Sequence, residues 1–402
     1  MHLKVANLCI IPKPKKDCYD VPKAFRPIAL LNTIGKLMTK VLAKRLQFDG
    51  IAHGLFHPGQ FGGVTKHATM DVGVILMDII SQNRDRGFHT SVLAVNITQF
   101  FPSMDHEVIV YLLGKLGFHR KICSVVANFL RDCQTLYMWD GISSEAHFDC
   151  SNGVPQGDPL SPVLLVLYLS LIIKHVLPWD KDNHTNALFF IDDGMLICSS
   201  ASLNDNVALL ALLYTKLLHF LESAGLTVEH TKSELKHFIA YDRQTNRRVF
   251  ASVNQPDLLF SWKGASHTIK PAKIWRYLGF FFDSYLKFDH HVRYYTNKGF
   301  STIRAFNMLG NSARGLGPKQ RVLAYNACVT SVLTYSLPLW YAEDGKGVQS
   351  NFKHMCRVQS FVVRWITGSF RGMPIGAMEL ITGIPPYIYD ATSSSRDTPR
   401  TS

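Results

Sequence analysis

Two adjacent carboxylates, Asp192 and Asp193, stand between two apolar arms, ALFFI and MLICS, and Gly194 follows them. The pattern predicts a β-hairpin with a tight Asp-Asp-Gly corner. Like charges at the ends of apolar strands repel one another and are costly unless something positive lies between them. A divalent cation would offset that cost. Carboxylate oxygens with open coordination positions suit Mg²⁺, which takes one or two carboxylates together with substrate phosphates. Asp-Asp-Gly is also good turn chemistry, so a solvated turn accounts for the same residues.

The segments around the hairpin set the fold class. LCIIPKP and FRPIALL read as extended between residues 8 and 31, where Pro27 excludes a continuous helix. TIGKLMTKVLAKRLQ (33–47) places Ile34, Leu37, Met38, Val41 and Leu42 at helical spacing, with Thr33 as N-cap. HPGQFGG (57–63) is a glycine-rich loop, residues 68–85 form a second amphipathic helix, and SVLAVNI (91–97) suits a buried strand. Helices are expected over 106–117, 121–133, 163–177 and 205–226, with a Gly/Pro-dense loop over 150–162. A strand pair follows around 236–260, and IWRYLGFFFD (274–283) reads as one more strand. From there to about residue 370 helices dominate. Strands and helices up to 283, then helices alone, predict an α+β core with a helical C-terminal subdomain. The final ATSSSRDTPRTS has no apolar period and reads as a frayed tail.

Charge narrows the class of partner. There are 43 Lys and Arg against 30 Asp and Glu, a net charge of +13. Between Lys263 and Arg371 stand 16 basic residues and only four acidic ones, and the first 45 residues carry Lys13, Lys15, Lys16, Lys23 and Arg26. Two basic segments around an acidic middle suit a surface that holds phosphates about an acidic centre. Aromatics are interleaved with the later charges, although most of these rings are expected in the core. None of the eight cysteines has zinc-site spacing, and several lie in apolar runs, which predicts buried thiols in a reducing compartment. No signal peptide is visible, and Lys174 and His175 cut the most apolar run short of the roughly 20 residues that span a bilayer, so no membrane partner is expected.

A second constellation, GVPQGDPLSP (Gly153–Pro162), combines glycines that permit close backbone approach with prolines that fix the chain path. Alone it is equally a rigid connector into the following helix. Together, PQGDPLSP and FFIDDG some 30 residues later resemble motifs B and C of reverse transcriptases. Other blocks agree in order. FRPIALLNTIGKLMTKVLAKRL resembles the fingers motif of non-LTR retrotransposons, GQFGG the next block, VLAVNITQFFPSMDH motif A, GLTVEHTKSELKHF motif D and RYLGFFFD motif E. RGLGPKQRVLAYNACVTSVLTYSLPLWY and FRGMPIGAMELITGIPP resemble the thumb and post-thumb regions. The resemblance covers about residues 8–386, and the FFPSMDH form is similar to fungal elements.

The resemblance implies a right-hand polymerase fold. Fingers and palm, with an antiparallel palm sheet, would occupy residues 1–283, a helical thumb and post-thumb region 284–386, and a disordered tail 387–402. It implies RNA-directed DNA synthesis with Mg²⁺, an RNA template, a DNA primer and dNTPs, in the nucleus and cytoplasm. Asp192 and Asp193 match the metal-binding carboxylates of motif C. At the aspartate position of motif A stands Asn96, whose amide oxygen carries no net charge, so a catalytically weak or inactive copy is expected. Phe101, five residues on, matches the aromatic gate against a ribose 2′-hydroxyl, though its neighbour Phe100 shows that a core phenylalanine fits as well. Gln156 and Gly157 match motif B residues beside the incoming nucleotide; Asp158 has no role carried over. Arg26 matches the arginine that contacts the triphosphate, and Lys232 the motif D lysine that assists pyrophosphate departure, or else a solvated lysine. A non-catalytic nucleic-acid-binding remnant is the alternative, and an intron maturase a more distant one. With no endonuclease-like, ribonuclease H or CCHC segment in the sequence, part of a longer polyprotein is expected.

Overall fold

The computed structural model describes residues 4–387 apart from 15, 17, 140, 145–147, 151, 241–254, 307, 309–314 and 342–347. Of the expected tail, 387–402, Tyr387 is buried and shares a hydrogen bond with Tyr325, and the rest lies outside the described residues. The chain divides into two compact units, residues 1–72 with 79–271, and residues 73–78 with 272–402.

The first unit carries two sheets. Val5–Pro12 (β1) pairs antiparallel with Phe25–Leu30 (β2) and parallel with Cys133–Trp139 (β4), on which Ile142–Ser143 (β5) and Phe148–Cys150 (β6) fold back. The second sheet is built on His89–Thr98 (β3). Its run of Val92, Leu93, Val95 and Ile97 is buried, as a central strand requires. Thr185–Phe190 (β7), Asp193–Ser200 (β8) and Glu234–Phe238 (β10) complete the order β10-β3-β8-β7, and Thr227–Val228 (β9) pairs with the end of β3. All pairings in this sheet are antiparallel. The architecture is α+β.

Helices Thr33–Ala52 (α1), Thr69–Asp85 (α2), His106–Lys115 (α3), Arg120–Leu130 (α4), Ser161–Val176 (α5) and Leu203–Ser223 (α6) accompany the sheets. Helix α5 is apolar around its whole circumference and correspondingly buried. Leu210, Tyr214, Leu217 and Leu221 of α6 join Leu164, Leu169, Phe189 and Leu196 in one core. Helix α1 is capped by Asn32, whose side chain accepts from the Ile34 amide, and not by Thr33. Its apolar stripe is also not its buried face. Ile34, Leu37, Met38 and Val41 are all more than 60% exposed, while Thr39, Ala43, Leu46 and Gly50 face the core.

Two further expectations are corrected. Around 236–260, where 241–254 lie outside the described residues, the two described strands do not pair with each other: β10 pairs with β3, and Leu258–Trp262 (β11) pairs with Ala265–Ile269 (β12). Of the eight cysteines, all free, only Cys198 is buried, and Cys18 and Cys328 are exposed. Hydropathy of the flanking run does not decide which side of an element a thiol occupies.

In the second unit, IWRYLGFFFD is not one strand but a hairpin, Ile274–Tyr277 (β13) with Phe280–Asp283 (β14). Leu278 and Gly279 both take positive φ at its corner. Trp275 is fully buried and stacks on Tyr277 and Phe282. Helices Asp289–Phe306 (α7), Pro318–Tyr325 (α8), Ser331–Leu333 (α9), Leu337–Trp340 (α10), Val348–Thr367 (α11) and Ile375–Thr382 (α12) follow, with a π-helical stretch at Asn326–Thr330. The aromatics Trp275, Tyr277, Tyr295 and Trp340 are core residues. Among the described residues, no helix is long and apolar enough to cross a membrane.

Candidate active site

The β7–β8 hairpin closes between Phe190 and Asp193, so its corner is Ile191–Asp192 rather than Asp-Asp-Gly. Ile191 takes φ +61, a left-handed conformation that a β-branched residue adopts only where its surroundings enforce it. The enforcing segment is the glycine-rich loop. Phe61 donates its amide to the Phe189 carbonyl at 2.9 Å, and the Phe189 amide donates to the Gly59 carbonyl at 2.7 Å. At Gly62 a Cβ would stand 2.5 Å from the Ile191 nitrogen, so only glycine lets the loop lie against the corner. Gly194 sits inside β8, opposite Phe189, whose ring occupies the space a side chain would need.

Strand register brings position 96 to the carboxylates. Asn96 pairs with Asp193 across β3 and β8, and its amide nitrogen donates to Asp193 Oδ1 at 2.6 Å. The Ile97 amide donates to the Asp192 carbonyl at 3.1 Å. Burial, then the neighbouring Asp193 charge, push the Asp192 carboxyl up to about 6, and Arg26 partly opposes them. A half-buried carboxylate pair whose repulsion Arg26 and Asn96 offset only in part is a donor set that fits a divalent cation completed by substrate phosphates. The group opposite Asp193 is an amide, and among the described residues no group of three or more His, Cys, Asp or Glu could hold a metal ion.

A cationic cluster faces the same region. Arg26 lies exposed on β2. Lys232 sits in the turn His230–Lys232 and forms an ion pair with Glu229. Lys232, then burial, then Lys23 and Lys16 set the Glu229 carboxyl, with a net lowering. Lys13 is lowered by burial, then by Arg26, Lys16 and Lys232. Among the described residues Glu229 thus stands close to Lys13, Lys16, Lys23 and Lys232, with Arg26 beside Lys13. Glu229, Lys13, Lys16 and Lys23 carry no individual role in the sequence reading, because the β1–β2 connection and the turn after β9 are some 200 residues apart.

Gln156 and Gly157 lie in the loop before α5. The Gln156 carbonyl accepts from the Ala29 amide at 2.7 Å, which seats the loop on β2. Gly157 has φ +119, and a Cβ there would meet the Ala29 oxygen at 2.6 Å. At the loop's other side the Val154 amide donates to the Phe101 carbonyl at 2.8 Å. The structure separates the two phenylalanines: Phe100 is 2% exposed and in the core, whereas Phe101 is half-buried and lines a cavity of about 520 Å³. Asn96, Asp192 and Asp193 thus meet at the β3–β8 pairing, Arg26 reaches Asp192 electrostatically from the other sheet, and Lys232 is tied to Glu229 and Lys13. Phe101, Gln156 and Gly157 are linked to β2 through the loop.

Comparison with known proteins follows this geometry. Residues 11–282 match the model of the family described as reverse transcriptase (RNA-dependent DNA polymerase). A probable RNA-directed DNA polymerase from transposon BS of Drosophila melanogaster is 24% identical over 365 residues, 90% of this chain and 38% of that protein. A polyprotein from the type-1 retrotransposable element R2 of Popillia japonica is 26% identical over 226 residues, 55% of this chain and 30% of that protein. The polymerase from mobile element jockey of Drosophila funebris is 21% identical over 90% of this chain and 38% of its own length. The chain thus spans well under half the length of these relatives. Among solved structures, a telomerase from Candida tropicalis in complex with a telomeric RNA fragment aligns over 100% of this chain and 63% of that one, at 12% identity and TM-score 0.49.

Proposed function

The chain belongs to the reverse transcriptase (RNA-dependent DNA polymerase) family, and we propose that it is the polymerase region of a non-LTR retrotransposon protein that extends a DNA primer on an RNA template with dNTPs. Residues 1–283 would serve as fingers and palm, and 284–386 as thumb and post-thumb. The FFPSMDH form of motif A supports a fungal element as the source. The observation that carries the reading is the register that sets position 96 against Asp193, at the corner of a hairpin whose carboxylates repel one another.

Asp192 and Asp193 are the residues that would hold Mg²⁺. When bound, the ion neutralises phosphoryl oxygens and favours the deprotonated primer 3′-hydroxyl. The rest falls to this chain's own groups. Arg26, Lys13, Lys16 and Lys23 would bind and orient the triphosphate, since charge-assisted contacts to phosphate are strong and directional. Lys232 Nζ, released from Glu229 by the competing phosphate charge, would give a proton to the departing pyrophosphate oxygen. The Phe101 ring would exclude a 2′-hydroxyl, and the loop bearing Gln156 and Gly157 would lie beside the nucleotide. Positioning and charge stabilisation carry most of such catalysis.

Asn96 favours a second reading, a non-catalytic binder of the same fold. Primer extension on an RNA template in Mg²⁺ separates the two, with Asp192→Asn as control. Extension that Asp192→Asn abolishes supports the polymerase. Tight primer–template binding with no extension in Mg²⁺ or Mn²⁺ supports the binder instead.

A further inference from the structure

Asp158 is 3% exposed, in a loop between the half-buried Pro155 and Pro159 and outside the carboxylate corner. Burying a carboxylate is costly unless its oxygens are hydrogen-bonded. Both are. Oδ1 accepts from the Leu160 amide at 2.7 Å, at the entrance to α5. Oδ2 accepts from the Thr39 hydroxyl on α1 at 2.9 Å. Burial raises the carboxyl pKa, and these two hydrogen bonds and Lys36 oppose the rise. The same loop is tied to β2 through Ala29 and to the Phe101 backbone through Val154. Thr39, Asp158, Ala29, Phe101 and Gln156 all line the 520 Å³ cavity. A void supplies no packing on that side, so polar tethers rather than contact must fix where the loop lies.

We propose that Asp158, through Thr39, is a positioning residue that latches the loop carrying Gln156 to α1, alongside the Ala29 tie to β2 that carries Arg26, and so preforms the site for the incoming deoxynucleoside triphosphate. The inference rests on the polymerase reading. The latch acts before chemistry, on nucleotide affinity, and leaves primer–template binding alone. Thr39→Val removes the hydroxyl with little change of shape, and Asp158→Ala removes both acceptors. Asp158→Asn keeps both bonds, with its amide donating to the Thr39 hydroxyl, and Thr39→Ser keeps the hydroxyl.

The test is dNTP-dependent stabilisation of a complex with an RNA template and a dideoxy-terminated DNA primer, in Ca²⁺, where no bond forms. Thr39→Val and Asp158→Ala are expected to weaken dNTP affinity by about tenfold, the scale of one hydrogen bond to a charged group. Asp158→Asn and Thr39→Ser should stay within about twofold of the wild type, and binding of primer–template without dNTP should be unchanged in all four. Equal dNTP affinity in every variant overturns the latch. A parallel loss of primer–template binding in Thr39→Val also overturns it, since that marks a merely structural role. A wild type with no dNTP-dependent step overturns the latch and the polymerase reading together.

Discussion

At the scale of single residues, the carboxylate corner carries an electrostatic cost that pH can read. Asp192 is held at about 6 in the fold against 3.8 for a free carboxyl, so the folded protein binds the extra proton between those values. Stability therefore falls as pH rises through that window, by roughly 3 kcal/mol in the absence of metal. Asp192→Asn removes the titration. Its unfolding midpoint between pH 4 and 7 should exceed that of the wild type increasingly toward pH 7, measured in chelator. Identical pH slopes for the two proteins would rule the cost out. The sequence makes Asp192, Asp193 and Asn96 legible because adjacent carboxylates in an apolar run and a family motif mark them. It takes Thr33 for the cap that Asn32 provides, since capping turns on the direction of a side chain that neighbouring backbone sets.

At the scale of elements, strand and helix periods locate most segments, but not which face is covered. The stripe Ile34, Leu37, Met38, Val41 defines α1 by its spacing and then stays exposed, while Leu46 is fully buried. Leu37→Gln and Val41→Gln should each change stability by no more than about 0.5 kcal/mol, whereas Leu46→Ala should cost about 2–5 kcal/mol. Urea midpoints of the three variants check this, and a large cost at Leu37 would show that its face is covered. The strands β4 to β6 escape the sequence reading because their residues have neither clean alternation nor turn spacing, and only pairing with β1 makes them strands. The loop at 57–63 is read as glycine-rich, but its purpose appears only where Gly62 meets Ile191. A side chain at Gly62 would displace the corner that carries Asp192. Gly62→Ala should lower primer extension on the order of 100-fold, the scale of a displacement of about 1 Å at a reacting group. Primer–template affinity, by filter binding, should be unaffected; unchanged extension would dissociate the loop from the site.

For the whole molecule, composition alone points to a polyanionic partner, and the charge of +13 is unevenly spread. In the second unit, α7 and α11 bring Arg293 and Arg357 near His354, whose pKa burial and then those two guanidinium groups lower. Two exposed arginines on adjacent helices suit phosphate contacts. Arg293→Gln and Arg357→Gln should each reduce the slope of log affinity against log salt for primer–template by about one, without altering sequence preference. Salt titrations that leave the slope unchanged would exclude these helices from the backbone contact. The family and the α+β class are legible in the sequence because motifs recur in order along most of the chain. The division at residue 271, with residues 73–78 of α2 grouped with the second unit, is not, since it depends on contacts remote in sequence.

The central proposal is that this member of the reverse transcriptase family has a metal site short of one carboxylate, with Asn96 set against Asp193. Losing even an outer metal contact lowers affinity or activity by roughly 10–100-fold, so restoring a direct ligand should recover at least about that much. The most direct measurement is single-turnover primer extension on an RNA template in Mg²⁺, with the chain and its Asn96→Asp variant side by side. A gain of about tenfold or more in Asn96→Asp, at lower Mg²⁺, is the expected result. Equal rates and equal Mg²⁺ dependence in the two proteins would contradict it.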